Sequence, residues 1–282
     1  MTSTVCQPAR FVCLGSLLLL ATALSAAPAE TEAPEWIEGR GQNEVVLIHG
    51  LGASNEIWQD LTPYIVSTFN VFLYELHGHG QTPPLRNPTI AAEAAALRAW
   101  IEEKGLIYPT LVGHGMGGMI AMQYTFDHPG DVQRLIVIDA GPRQLASEEQ
   151  KAQVARALLD DYDRFVAAHY LDISFDSEIN DLAVDMALRT DSASFASLLL
   201  SSFDWDLTDR LPRQSVPMLV IGSESFLPVQ GEESTYLEQY GFSNARALSF
   251  KRVEKTGHYL MLENPTYLAS VLVVYILQED FE

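Results

Sequence analysis

The chain has 282 residues and a formal charge of −20, from 37 acidic against 17 basic side chains. A surface this acidic repels nucleic acid and anionic membranes, so neither is an expected partner. Both cysteines, Cys6 and Cys13, fall in the first 29 residues, so residues 30–282 have no disulfide, no thiolate metal ligand and no cysteine nucleophile.

Arg10 is the only charged residue before Glu30, an apolar run covers residues 11–24, and Ala27-Pro28-Ala29 supplies an A-x-A pattern. This is the layout of a secretory signal peptide over residues 1–29. The run is short for a membrane span, which needs about 20 apolar residues, and neither cysteine follows a small-residue lipobox. A secreted or periplasmic domain over residues 30–282 is expected, with no membrane span after cleavage. Its length is enough for one large core. Nothing in the sequence sets its oligomeric state.

Beyond the leader, short runs rich in Val, Ile and Leu alternate with longer amphipathic segments. Residues 45–48, 71–76, 110–112, 135–138 and 218–221 read as strands buried on both faces. Residues 248–253 alternate and suit an outer strand. Helices are expected over 58–66, 90–103, 116–126 and 267–277. Such alternation predicts an α/β fold, a mostly parallel central sheet flanked by helices. Residues 144–211 break the pattern, with helical spacing over 151–170, a second apolar segment over 195–203 and no credible buried strand. They read as an inserted helical cap over the strand ends.

Three motifs sit at strand ends: His49-Gly50-Leu51-Gly52, His77-Gly78-His79-Gly80 and Gly113-His114-Gly115-Met116-Gly117-Gly118. Gly257-His258, followed by Glu263-Asn264-Pro265, comes near the end. In this order the chain resembles the α/β-hydrolase superfamily, in particular its capped esterase, lipase and epoxide-hydrolase-like members. The resemblance covers nearly all of residues 30–282 and implies the α/β-hydrolase fold with a helical cap.

In that family a serine occupies a sharp strand-to-helix turn. Here the position is held by Gly115, which accepts the turn's backbone without steric penalty but carries nothing that can attack. The resemblance places the triad acid at Ser225, which cannot orient or stabilise a protonated histidine. Glu224, next to it, and Asp139, at the end of the strand over 135–138, are possible substitutes, although an Asp in that place more often caps a helix or turn. His258 matches the triad histidine. The resemblance also implies an oxyanion hole from the Leu51 and Met116 amides, which no side-chain substitution removes. By the same analogy Trp58, Met116, Phe226 and Leu227 are expected around the pocket. His114 reads as a packed neighbour of the turn.

No H-E-x-x-H helix or grouped carboxylate set marks a metal site. The glycines of residues 113–118 lack the acidic partner of a dinucleotide fingerprint. No metal and no cofactor is expected. The expected function is a pseudo-hydrolase that binds a small apolar or carbonyl-bearing ligand without hydrolysing it. The alternative is an esterase-like or other enzyme in which His258 acts as a general base over the retained oxyanion hole. A third reading is an esterase altered at position 115, with Glu224 as its acid.

Overall fold

A computed structural model of the chain describes residues 36–37, 39, 41–227 and 233–278; the leader read over residues 1–29 lies outside these. Seven strands, β1 (Trp36–Ile37), β2 (Glu44–Ile48), β3 (Asn70–Tyr74), β4 (Thr110–His114), β5 (Arg134–Ile138), β6 (Met218–Ser223) and β7 (Leu248–Val253), form one sheet. Their order is β1-β3-β2-β4-β5-β6-β7. The short β1 pairs antiparallel with β3, and the other pairings are parallel.

The central strands are apolar at nearly every position because both faces of the sheet are covered. β4, β5 and β6 are buried throughout. Successive residues point to opposite faces. Val45, Leu47, Val112 and Ile136 therefore join one apolar cluster, while Val46, Ile48, Leu111 and Leu135 join the other. β7, at the edge, alternates between exposed and covered positions.

On the first face lie the one-turn α1 (Thr62–Ile65) and, near the end of the chain, a long apolar helix over Pro265–Leu277. On the second lie α2 (Ile90–Lys104) and α3 (Met116–Asp127). The helix expected over 58–66 is replaced by a 3-10 turn, Asn55–Trp58, followed by α1. Pro63 lacks the N–H that a continuous helix would need.

Between β5 and β6 the chain forms α4 (Glu148–Asp160), α5 (Tyr162–Tyr170), α6 (Ser177–Arg189) and α7 (Ser192–Ser202). Each begins at a side chain that accepts a backbone N–H: Ser147, Asp161, Asp176 and Asp191. The helical spacing read over 151–170 belongs to two helices, divided where Asp161 accepts from the Arg164 N–H. An isolated backbone bridge between Arg143 and Asp206 ties the two ends of the insertion together. The remaining helices are α8 (Glu233–Gln239), α9 (Leu260–Glu263) and α10, the long helix over Pro265–Leu277.

β3 and β4 flank β2 on opposite sides. The connections leaving β2 and β4 consequently diverge and open a crevice at their carboxyl ends, the usual place for a ligand in such sheets. Gly50 and Gly115 stand there.

Candidate active site

Gly115 joins β4 to α3 with φ 52° and ψ −119°, a conformation costly for any residue with a Cβ. The turn is tight because its flanking glycines are pressed against backbone. A Cβ at Gly113 would lie 2.3 Å from the Gly117 carbonyl oxygen, and one at Gly117 would lie 2.3 Å from that of Ile48. Position 115 differs. A Cβ there would first meet His258 Nε2 at 3.3 Å and its Cε1 at 3.6 Å. Crowding does not demand the middle glycine, and the side chain it lacks would have pointed at the imidazole.

His258 Nδ1 stands 3.0 Å from Asp139 Oδ2. The carboxylate is fully buried. Its Oδ1 accepts from the Ser223 N–H at 2.7 Å and its Oδ2 from the Ser223 hydroxyl at 2.5 Å. With the carboxylate accepting from Nδ1–H, Nε2 is left as the basic nitrogen, facing residue 115. Asp139 itself has φ 50°, the left-handed region that Asp tolerates better than most residues.

This arrangement changes the reading of the acid. Asp139, expected mainly as a cap, meets the histidine. Ser225, at the position matched by resemblance, is exposed. Glu224 turns away, its Oε2 accepting from the Lys255 N–H at 2.7 Å. Among the described residues neither makes a hydrogen bond to His258. Of the two possible substitutes, Asp139 rather than Glu224 contacts the histidine. Ser223, which fixes the carboxylate at the end of β6, escaped notice because no local pattern marks a serine whose partner lies 84 residues away.

The loop carrying His258 is held by the insertion. The His258 N–H donates to the Ile173 carbonyl at 2.8 Å. Glu263 accepts from the Ser174 hydroxyl and from the Gly257 N–H, each at 2.7 Å. His114, packed beside the turn, donates from Nε2 to the His258 carbonyl at 3.0 Å. Burial and the neighbouring His258 drive its pKa well below the usual histidine value, so it stays neutral.

Leu51 and Met116 border the same cavity as Gly115 and His258. Met116 is the first residue of α3, so its N–H has no acceptor within the helix and sits at the positive end of the helix dipole. The Leu51 peptide is braced from α5, the Tyr170 hydroxyl donating to its carbonyl at 2.6 Å. Burial raises the Tyr170 pKa well above its ordinary value, which keeps that hydroxyl a donor.

The cavity has a volume of about 470 Å³, and Leu145, His169, Tyr170, Ile173 and Leu199 bring the insertion onto its wall. Met116 and Phe226 line it as expected. Trp58 and Leu227 do not: both are buried, Trp58 within the core and Leu227 against Gly222. The histidines of the turn after β3 diverge. His77 pairs with the buried Glu93 at 3.1 Å. His79 packs beside His49, whose Nε2 accepts from the Leu76 N–H at 3.0 Å.

The sequence model described as "Alpha/beta hydrolase family" matches residues 45–271. The karrikin insensitive 2 receptor CA of Petunia hybrida is 28% identical over 260 residues, covering 85% of this chain and 94% of the receptor. A pimeloyl-[acyl-carrier protein] methyl ester esterase of Aromatoleum aromaticum is 26% identical, covering 67% of this chain and 83% of the esterase. Among solved structures, the enol-lactonase from Burkholderia xenovorans LB400 superposes with a TM-score of 0.73 at 20% identity, covering 86% of this chain and 95% of its own. An esterase from Exiguobacterium antarcticum gives 0.75 at 19%, covering 86% and 94%. The two structures share the fold.

Proposed function

The chain belongs to the alpha/beta hydrolase family, and from that premise we propose that it binds a small carbonyl-bearing ligand in the covered cavity without forming a covalent acyl intermediate. One observation carries this reading: at the turn where the reacting oxygen would stand, Gly115 presents only hydrogen toward His258 Nε2. Binding does not need that oxygen. Leu51 and Met116 stand on the cavity wall, where their amides would receive a carbonyl oxygen, and the wall supplies apolar surface from both the sheet side and the insertion. A receptor among the petunia relatives supports a ligand-binding role.

A second reading rests on the His258–Asp139 pair, whose 3.0 Å contact preserves a general base. In that case His258 takes a proton from water, and the hydroxide adds to a carbonyl held by the two amides. Asp139 stabilises the imidazolium, which returns the proton to the leaving group. Intact mass after incubation with p-nitrophenyl acetate, together with turnover of the same ester, separates the two. The binding reading expects no adduct and only background hydrolysis. Turnover well above background that disappears in His258→Ala would replace it with the second, and an adduct on any side chain would overturn both.

Export is part of the proposal. It is supported by the leader pattern over residues 1–29 and is checked by the N-terminus of the protein recovered from its native host. The insertion is proposed as the lid of this site.

A further inference from the structure

Most cations of this acidic chain that are held in place have a carboxylate or carbonyl beside them. Arg189 pairs with Glu56, Arg210 with Asp127 and Lys151 with Asp204; Arg252 donates to the Leu227 carbonyl and Arg134 to that of Gln278. Arg86, Arg164, Arg213 and Arg246 are exposed to water. Arg143 fits neither group. It is half-buried, its Nε is buried with no hydrogen-bond partner, and among the described residues no carboxylate pairs with its guanidinium. It borders the cavity that holds Gly115 and His258.

The position of Arg143 is built by the fold. The residue follows β5, where the bridge to Asp206 and the Leu207 N–H donating to the Pro142 carbonyl at 2.8 Å fix its backbone. Its stem lies against Gly241, where a Cβ would come within 3.1 Å of Nε and 3.4 Å of Cδ, and where φ is +88°. Asp206 forms no ion pair with it; the Oδ1 of that carboxylate accepts from the N–H and hydroxyl of Thr208, at 2.7 and 2.6 Å. Within the cavity Asp139 is the one carboxylate among the described residues, and it is engaged by His258 and Ser223. His169 is held neutral by burial and by the nearby His258. Arg143 is thus the one permanent cation on the described cavity wall, and no carboxylate among the described residues lies within ion-pair distance of it.

We propose that Arg143 is the anion-binding residue of this cavity, and that the ligand carries a carboxylate in addition to the carbonyl directed at the Leu51 and Met116 amides. This deepens the proposed function and rests on it. A guanidinium left without a partner at the edge of an apolar pocket recognises a planar anion through paired N–H groups. One cation matches one negative charge, which favours a monocarboxylate over a phosphate dianion.

The test is isothermal titration calorimetry of the mature protein at pH 8 with monomethyl succinate, glutarate and adipate, each set beside its dimethyl ester. At least one half-ester is expected to bind about tenfold or more tighter than its diester, the range of a charge-assisted hydrogen bond. That preference is expected to vanish in Arg143→Gln and to survive in part in Arg143→Lys, which keeps the charge and loses the fork. Circular dichroism of both variants checks the fold, and retention by Arg143→Lys separates charge from mere packing. Half-ester and diester binding alike, or an undiminished preference in Arg143→Gln, would overturn the assignment while leaving the cavity a ligand site. Binding of neither ester of any pair would overturn the assignment and the ligand-binding reading together.

Discussion

Replacing Gly115 by serine tests the whole geometry of the site in one step. The Cβ would lie 3.3 Å from His258 Nε2, so a hydroxyl one bond further is brought within hydrogen-bond reach once the ring gives by a few tenths of an ångström. His258 is already oriented by Asp139 at 3.0 Å. Nucleophile, base and acid would then form a continuous relay, with the Met116 N–H beside it. Loss of the serine from such a relay costs up to about a millionfold in kcat, so even an imperfect graft is expected to raise p-nitrophenyl butyrate hydrolysis at least a thousandfold over the parent. The backbone opposes the change: a side chain at φ 52° costs about 1–3 kcal/mol. In a domain of this size that lowers Tm by roughly 2–12 °C. The assay pairs initial rates with labelling by a fluorophosphonate, whose adduct should map to position 115. A Gly115→Ser protein that melts within this window, yet is neither labelled nor faster than the parent, would show that the relay inferred from the contacts is not functional.

Neighbouring contacts carry further expectations. In the Gly115→Ser background, Asp139→Asn should lower kcat by about 10⁴ while Ser225→Ala leaves it unchanged; the opposite pattern would return the acid role to the loop after β6. Gly117→Ala drives a Cβ to 2.3 Å from the Ile48 carbonyl oxygen, whereas a Cβ at Gly130 meets nothing within 4 Å. Urea titration should show the first variant destabilised by about 1–3 kcal/mol or more and the second at most marginally changed. Burial lowers the pKa of His49 to about 4 and that of His79 to about 3. Both are therefore neutral in the folded protein but take up protons in the unfolded chain below about 6.5. Stability is unaffected by them above that pH and falls as pH drops from about 6.5 toward 4. For His49 the displacement from 6.5 to about 4 is worth about 3 kcal/mol at about 1.4 kcal/mol per decade. Urea midpoints that stay constant between pH 7 and 5 would contradict this.

The parallel core was legible because its strands are covered on both faces, leaving runs such as residues 135–138 apolar at every position. The two-residue β1 gave no such signal, being too short to show a period. The glycines of residues 113–118 located the turn, since a Cβ at Gly113 or Gly117 would meet backbone at 2.3 Å. Asp139 was legible as one of two possible substitute acids, but its contact with His258 was not. An aspartate that caps a helix and one that turns at φ 50° toward a histidine 119 positions later look alike in one dimension. The resemblance pointed to the loop after β6, whereas the structure has Ser223, the last residue of β6, bracing the Asp139 carboxylate. Arg143 was missed for a related reason: an arginine among acidic residues reads as a solvated charge until the absence of a partner is visible in three dimensions.

The hydrogen bonds that join Ile173 and Ser174 to the loop of His258 have an evolutionary consequence. The insertion cannot be traded as an independent module, because the histidine's resting place is set partly by backbone that belongs to it. A chimaera carrying a cap from another member of the family would inherit a different pocket wall and, with it, a displaced base. Single substitutions of side chains facing the cavity would therefore reshape its wall while leaving the histidine loop in place, which exchange of the whole insertion would not.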